Sequence, residues 1–177
     1  RMGRHDEAVA EARRARELDP LSLVSGMILA WILYFARRYD EAIDWARRTL
    51  ELDPDYAEAW NNLGNVRRKQ GKFVAAEQAY RKALDRCPSF HDIRHRLGIA
   101  LREAGLPNHA IGEFKRVLRT HSDYLESAVQ LGLTYYTLGR TPQALEEWES
   151  VLERDPSRED AKMYLRMVQD GADATEL

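Results

Sequence analysis

Apolar residues recur along the chain at the three- and four-residue steps of an α-helix. From Ala59 to Leu84 the pattern predicts two helices joined at a Gly71-Lys72 corner, and versions of this hairpin return throughout the sequence. Runs of β-branched residues are scarce, and the 177 residues include only 6 Pro and 10 Gly, so an all-α fold is expected. One predicted helix stands out. Met27, Trp31 and Tyr34 are spaced i, i+4, i+7 and share one face, while Leu29, Ala30 and Leu33 take the opposite one. A helix that is apolar all round is normally buried on every side. Something is therefore expected to cover Trp31. The enclosing stretch Leu21 to Ala36 is shorter than the ~20 residues of a membrane span, so no membrane segment is expected here.

Prolines fall at Pro20, Pro54, Pro88 and Pro156, with Ser122 in the remaining place, and the step is 34 residues. The same step carries Ala8, Ala42, Ala76, Ala110 and Ala144, and also Leu29, Leu63, Leu97, Leu131 and Leu165. A small residue follows the first four leucines: Ala30, Gly64, Gly98 and Gly132. Tyr80, Phe114 and Trp148 keep the period, as do Gly3, Gly71, Gly105 and Gly139 at the predicted corners. Corner glycines suit the left-handed conformation that ends a helix. Mid-helix glycines cost about 1 kcal/mol against Ala, a cost that a close helix crossing offsets. The aromatic residues are expected to fill the gap between neighbouring hairpins. Proline stops each second helix, and Thr141-Pro142 suggests an N-cap with a first-turn proline.

The series Trp60, Leu63, Gly64, Ala76, Tyr80, Ala83 and Pro88 resembles the tetratricopeptide repeat (TPR), and the resemblance covers nearly the whole chain. It departs from the pattern at Arg37 (a corner), Ala46 (an aromatic position), Arg94 (a Trp position) and Ser122 (a Pro position). The resemblance implies a right-handed αα-superhelix, an α-solenoid of helix-turn-helix hairpins. In register, residues 1–20 supply the second helix of a truncated repeat. Repeats follow at 23–56, 57–90, 91–124 and 125–158, then a capping helix at 159–170 and a frayed tail at 171–177. The array is expected to belong to a larger protein, with Ala8, Val9 and Ala12 exposed where an upstream helix would pack.

The formal net charge of −2 argues against nucleic acid as the main partner. Cys87 is the only cysteine, which excludes an internal disulfide, fits a cytoplasmic segment and suggests a buried structural thiol. His91-Asp92-Ile93-Arg94-His95 is similar to the zinc-protease pattern, with Asp92 in place of Glu, but no third ligand accompanies it. His5, His109 and His121 are scattered and expected at the surface. No phosphate-binding glycine loop or nucleophile elbow occurs. No enzyme, no metal and no cofactor are expected. Arginine doublets (Arg13-Arg14, Arg37-Arg38, Arg47-Arg48, Arg67-Arg68) are interleaved with acids and suggest helix-surface ion pairs.

In the family, first helices line a concave groove that binds extended peptides or helices. Carried over, the groove residues are Met27, Trp31 and Tyr34; Asn61, Asn62, Asn65 and Arg68; His95, Arg96, Ile99 and Arg102; and Val129, Leu133 and Tyr136. Asn62 and Arg96 match two positions of the family's carboxylate clamp, but Met27, Trp31 and Asp92 break it, so no clamp of that type is expected. The implied function is a non-catalytic protein-protein interaction scaffold for a peptide or helix. The alternatives are a homo-oligomerisation module of a bacterial regulatory protein and a helical repeat that binds single-stranded RNA.

Overall fold

The computed structural model describes residues 2–171; side chains are described for 6–168 and for 170 and 171. The tail at 172–177 and the side chain of His5 lie outside the described residues. All regular structure among the described residues is helical. Ten α-helices follow in order: α1 (Met2–Leu18), α2 (Leu23–Phe35), α3 (Tyr39–Leu52), α4 (Ala57–Lys69), α5 (Phe73–Arg86), α6 (His91–Glu103), α7 (Pro107–Thr120), α8 (Leu125–Thr137), α9 (Thr141–Arg154) and α10 (Glu159–Gln169). The chain divides into two compact units, Arg1–Ile93 and Arg94–Leu177.

The corners share one construction. Gly71, Gly105 and Gly139 have φ of 73°, 78° and 71°. Beyond each corner an amide reaches back five residues to a carbonyl: Lys72 to Arg67, Leu106 to Leu101 and Arg140 to Tyr135. This is the bonding that closes a helix through a left-handed residue. Arg37 makes the same corner without being glycine, at φ 61°, and Arg38 donates to the Leu33 carbonyl at 2.9 Å. Gly3 departs from this. α1 starts at Met2, so Gly3 is a helical residue and not a corner. Thr141 also differs from expectation. It is the first residue of α9, its side chain caps nothing, and Pro142 occupies the first turn.

Second helices end alike. At Asp53, Cys87, His121 and Asp155 a carbonyl accepts the amide three residues on. The turn at His121 is followed by Ser122 instead of proline and still forms, so the backbone bond sets the turn and proline only favours it. Cys87 is half-buried at this C-cap and not in the core.

In the first unit α2 packs on α1, α3 and α4, and α4 packs on α5. Its core joins Val9 and Ala12 of α1 to Leu29 and Leu33 of α2, Ala42 and Ala46 of α3, and Val66 of α4. Val9 and Ala12 are therefore buried, contrary to the expected exposure, and Ala8 is half-buried; Ala10, Ala15 and Leu18 are exposed. The packing of α2 against α1 claims the side of the helix that an upstream neighbour was expected to cover. In the second unit α8 packs on α7 and α9, and α10 packs on α8 and α9, around Phe114, Leu131, Trp148 and Val151.

The mid-helix glycines explain the aromatic series. A Cβ on Gly64 would lie 2.5 Å from Tyr80, and one on Gly98 would lie 2.6 Å from Phe114; Gly132 meets Trp148 in the same way. Each ring thus rests on the glycine of its own hairpin, and does not only fill a gap between hairpins. Trp148 does both, since it also stacks on Tyr164 of α10 at 5.1 Å. The polar ends of these rings are satisfied inside: the Tyr80 hydroxyl donates to Asn65 Oδ1 at 2.9 Å and Trp148 Nε1 donates to the Val129 carbonyl at 3.1 Å.

Candidate interaction surface

The first unit carries a continuous exposed apolar surface on α2. The helix starts at Ser22, whose hydroxyl accepts the Ser25 amide. Val24, Ile28, Trp31 and Phe35, spaced i, i+4, i+7, i+11, form one exposed stripe along it. Tyr56 and Glu58 wall a recess of about 520 Å³ beside the stripe. The rings of Trp31 and Phe35 lie 5.3 Å apart, and Tyr34 meets Phe35 edge-on at 5.2 Å. Such offset aromatic pairs hold each other in place while leaving faces open. Trp31 is 38% exposed, whereas Met27 is only 5% exposed and packs with Ala30 and Ala59.

The same register in α4 behaves differently. Asn62 and Asn65 stand where α2 has Ile28 and Trp31, and both are buried, as is Asn61. Asn65 accepts from Tyr80, so its oxygen is engaged inside the hairpin. Asn62 Nδ2 has no hydrogen-bond partner among the described residues. A buried donor without a partner is costly. Arg68, at the end of the same helix, is half-buried.

In the second unit the groove residues named from the sequence fall into two groups. Val129, Leu133 and Tyr136 are buried, and Tyr136 packs against Trp148 with centroids 6.0 Å apart. His95, Arg96, Ile99 and Arg102 are half-buried. His95 Nδ1 lies 2.8 Å from the Ser127 hydroxyl, and its ring packs between Phe114 and Tyr124. It thus packs within its own hairpin and bonds the first helix of the next. His91 Nε2 lies 3.5 Å from Asp92, and no group of three or more His, Cys, Asp or Glu is gathered for a metal among the described residues. Arg94, read from the sequence as a departure at a Trp position, is one of two cations on the buried carboxylate of Glu113, at 2.9 Å; Arg116 is the other, at 2.8 Å. Among the described residues no helix is long and apolar enough to cross a membrane.

Sequence reasoning missed Val24, Ile28 and Phe35. Their signal was present as an i, i+4, i+7, i+11 series, but α2 offers a second apolar series on every side, so spacing alone does not choose between them.

The profile of the tetratricopeptide repeat matches residues 1–57, 27–89 and 95–159. The chain belongs to the tetratricopeptide repeat family, and its fold is an all-α repeat solenoid. Among solved structures it is similar to YrrB, described as a TPR protein with an unusual peptide-binding site. The two are 25% identical with a TM-score of 0.71, over 85% of this chain and 77% of that one. It is also similar in fold to MamA, at 20% identity and a TM-score of 0.77, over 88% of this chain and 91% of that one. TTC0263, a thermophilic TPR protein from Thermus thermophilus, is 20% identical with a TM-score of 0.74, over 92% of this chain and 89% of that one. No curated protein sequence gives a match. Membership of this family supports a protein-interaction scaffold.

Proposed function

We propose that the chain is a non-catalytic scaffold whose first unit binds an apolar peptide or helix along α2. The observation that carries this reading is the open stripe Val24, Ile28, Trp31 and Phe35 beside the recess at Tyr56 and Glu58. Its four side chains are too apolar to favour water and too regularly spaced to be scattered surface residues. Spacing over three turns matches the anchors of a helix or an extended peptide lying in a shallow groove. The peptide-binding site in the name of YrrB adds support from a relative of similar fold. Arg96, Ile99 and Arg102 are proposed as contact residues of the second unit on their own account. The repeat division at 23–56, 57–90, 91–124 and 125–158 is proposed as the working frame.

Peptides selected from a displayed library against the 177-residue chain test the reading. Enriched peptides should be rich in apolar or aromatic residues. Trp31→Ala should weaken them by about thirtyfold, the equivalent of a 2 kcal/mol hot spot, and Ile28→Asp should abolish binding. Both variants should melt close to the parent. Leu29→Ala, on the buried face, should instead cost about 2–5 kcal/mol of stability. Binding that survives Ile28→Asp would place the ligand elsewhere. Sedimentation of the same variants reports whether a second copy of the chain is the partner.

A further inference from the structure

The first unit also holds two grooves between successive second helices, and the 34-residue step maps one onto the other. The groove between α1 and α3 encloses about 790 Å³ and the groove between α3 and α5 about 690 Å³. Arg13 of the first corresponds to Arg47 of the second, Pro20 to Pro54, and Arg48 to Lys82. Their charges differ. The first has three arginines balanced by Glu17, Glu41 and Asp44. In the second, Ala75 and Gln78 stand where Glu41 and Asp44 were, and among the described lining residues Glu51 is the one acid beside Arg47, Arg67, Arg81 and Lys82.

Arg81 is paired with Glu77 at 2.9 Å. Arg47, Arg67 and Lys82 have no carboxylate within ion-pair distance among the described residues; Arg67 bonds the Gln70 amide oxygen, at 3.2 Å. Beneath them lies an apolar floor of Leu50, Leu63 and Ala79. Trp60 is fixed at its edge, with Nε1 donating to the Pro54 carbonyl at 2.9 Å and Lys82 Nζ lying 4.2 Å from the ring centroid. Three cations around an apolar floor attract a ligand that is both acidic and apolar.

We propose that the groove between α3 and α5 binds an acidic peptide segment, or the acidic face of a partner helix, that inserts an apolar side chain over Leu50 and Leu63. A nucleic acid fits less well. Lys82 already lies over the ring of Trp60, the one indole of the groove, and the aliphatic floor offers no platform for stacked bases. This surface is separate from the α2 stripe, so the two proposals stand or fall independently.

Fluorescence anisotropy of the 177-residue chain with a labelled peptide of glutamates around a central Leu-Trp tests it. The peptide should bind at low salt and weaken as salt screens the charges. Arg47→Glu combined with Lys82→Glu should weaken binding by about tenfold or more, the scale of a hot-spot loss. Arg48→Glu, in the charge-balanced groove, should leave it nearly unchanged, as should Ile28→Asp on α2. Replacing Leu-Trp by Gly-Ser in the peptide should cost as much as the double charge reversal. Circular dichroism confirms that each variant remains helical. No binding, an equal loss from Arg48→Glu, or equal affinity for the Gly-Ser peptide or for an oligouridine of the same length would overturn the proposal.

Discussion

The ring of Phe114 occupies the space where a Cβ on Gly98 would lie, with Cε1 2.6 Å from that point. Even Gly98→Ala must push the ring aside, and Gly98→Leu must displace the helix. Phe114 is fully buried, so it has nowhere to turn. Gly98→Leu is expected to lose about 1–3 kcal/mol or more, and the loss should spread to neighbouring hairpins. Thermal melts check this, and equal midpoints for parent and variant would refute it.

Arg37 adopts the left-handed corner at φ 61° that glycine adopts in the other hairpins. A side chain there costs roughly 1–2 kcal/mol, offset in part by the greater freedom of glycine in the unfolded chain. Arg37→Gly is therefore expected to stabilise the protein by about 0.5–1 kcal/mol, the difference between those two effects. Urea denaturation measures it; a lower midpoint in the variant would show that the Arg37 side chain contributes more than its backbone strain costs.

The helical array was legible because several residue types repeat with one period, and each has a separate steric reason to do so. Gly71, Gly105 and Gly139 turn the corners, and Tyr80, Phe114 and Trp148 sit on their glycines, where the step of 34 puts them. The binding surface was less legible. Met27 and Ile28 are adjacent, equally apolar and both at the recess, and only the packing of Ala30 and Ala59 against Met27 separates them. Asn61, Asn62 and Asn65 were placed in the groove by the family register; in the structure all three are buried, and Asn65 accepts the Tyr80 hydroxyl. The arginine doublets drew attention along the chain, to Arg47 beside Arg48. The grooves lie across the chain, joining Arg47 to Lys82.

Tyr80→Phe should isolate Asn65 Oδ1, which accepts the Tyr80 hydroxyl in a buried position. Leaving a buried acceptor unpaired costs about 1–3 kcal/mol. The double variant Tyr80→Phe with Asn65→Leu should recover part of that loss. A double-mutant cycle by chemical denaturation provides the check, and additive single losses would mean that the bond carries no coupling.

Glu147 titrates above the ordinary 4.5, first because it is desolvated and then because Glu146 is beside it, with Lys115 opposing both. Its folded pKa is raised, so its contribution to stability is fully present below the ordinary value of 4.5 and is lost as pH rises through the shifted one. Glu147→Gln removes this dependence. Relative to the parent, the variant should therefore gain stability between an acidic buffer below the ordinary carboxylate range and a neutral one. Guanidinium midpoints in the two buffers decide the sign, and a variant that loses ground to the parent as pH rises would contradict it.

The pairing of glycine with its own ring has a consequence for ancestry. Gly64 with Tyr80, Gly98 with Phe114 and Gly132 with Trp148 are matched sets of a hollow and a plug. The hairpin of α2 and α3 has Ala30 and Ala46 at the same places. A crossover inside a hairpin that joined α2 to α5 would set the Tyr80 ring against the methyl of Ala30. The opposite splice, α4 to α3, would leave the hollow at Gly64 empty. A splice at a proline turn thus keeps each hollow with its plug and a splice at a hairpin corner separates them, which makes the hairpin, and not the single helix, the unit that can be exchanged intact.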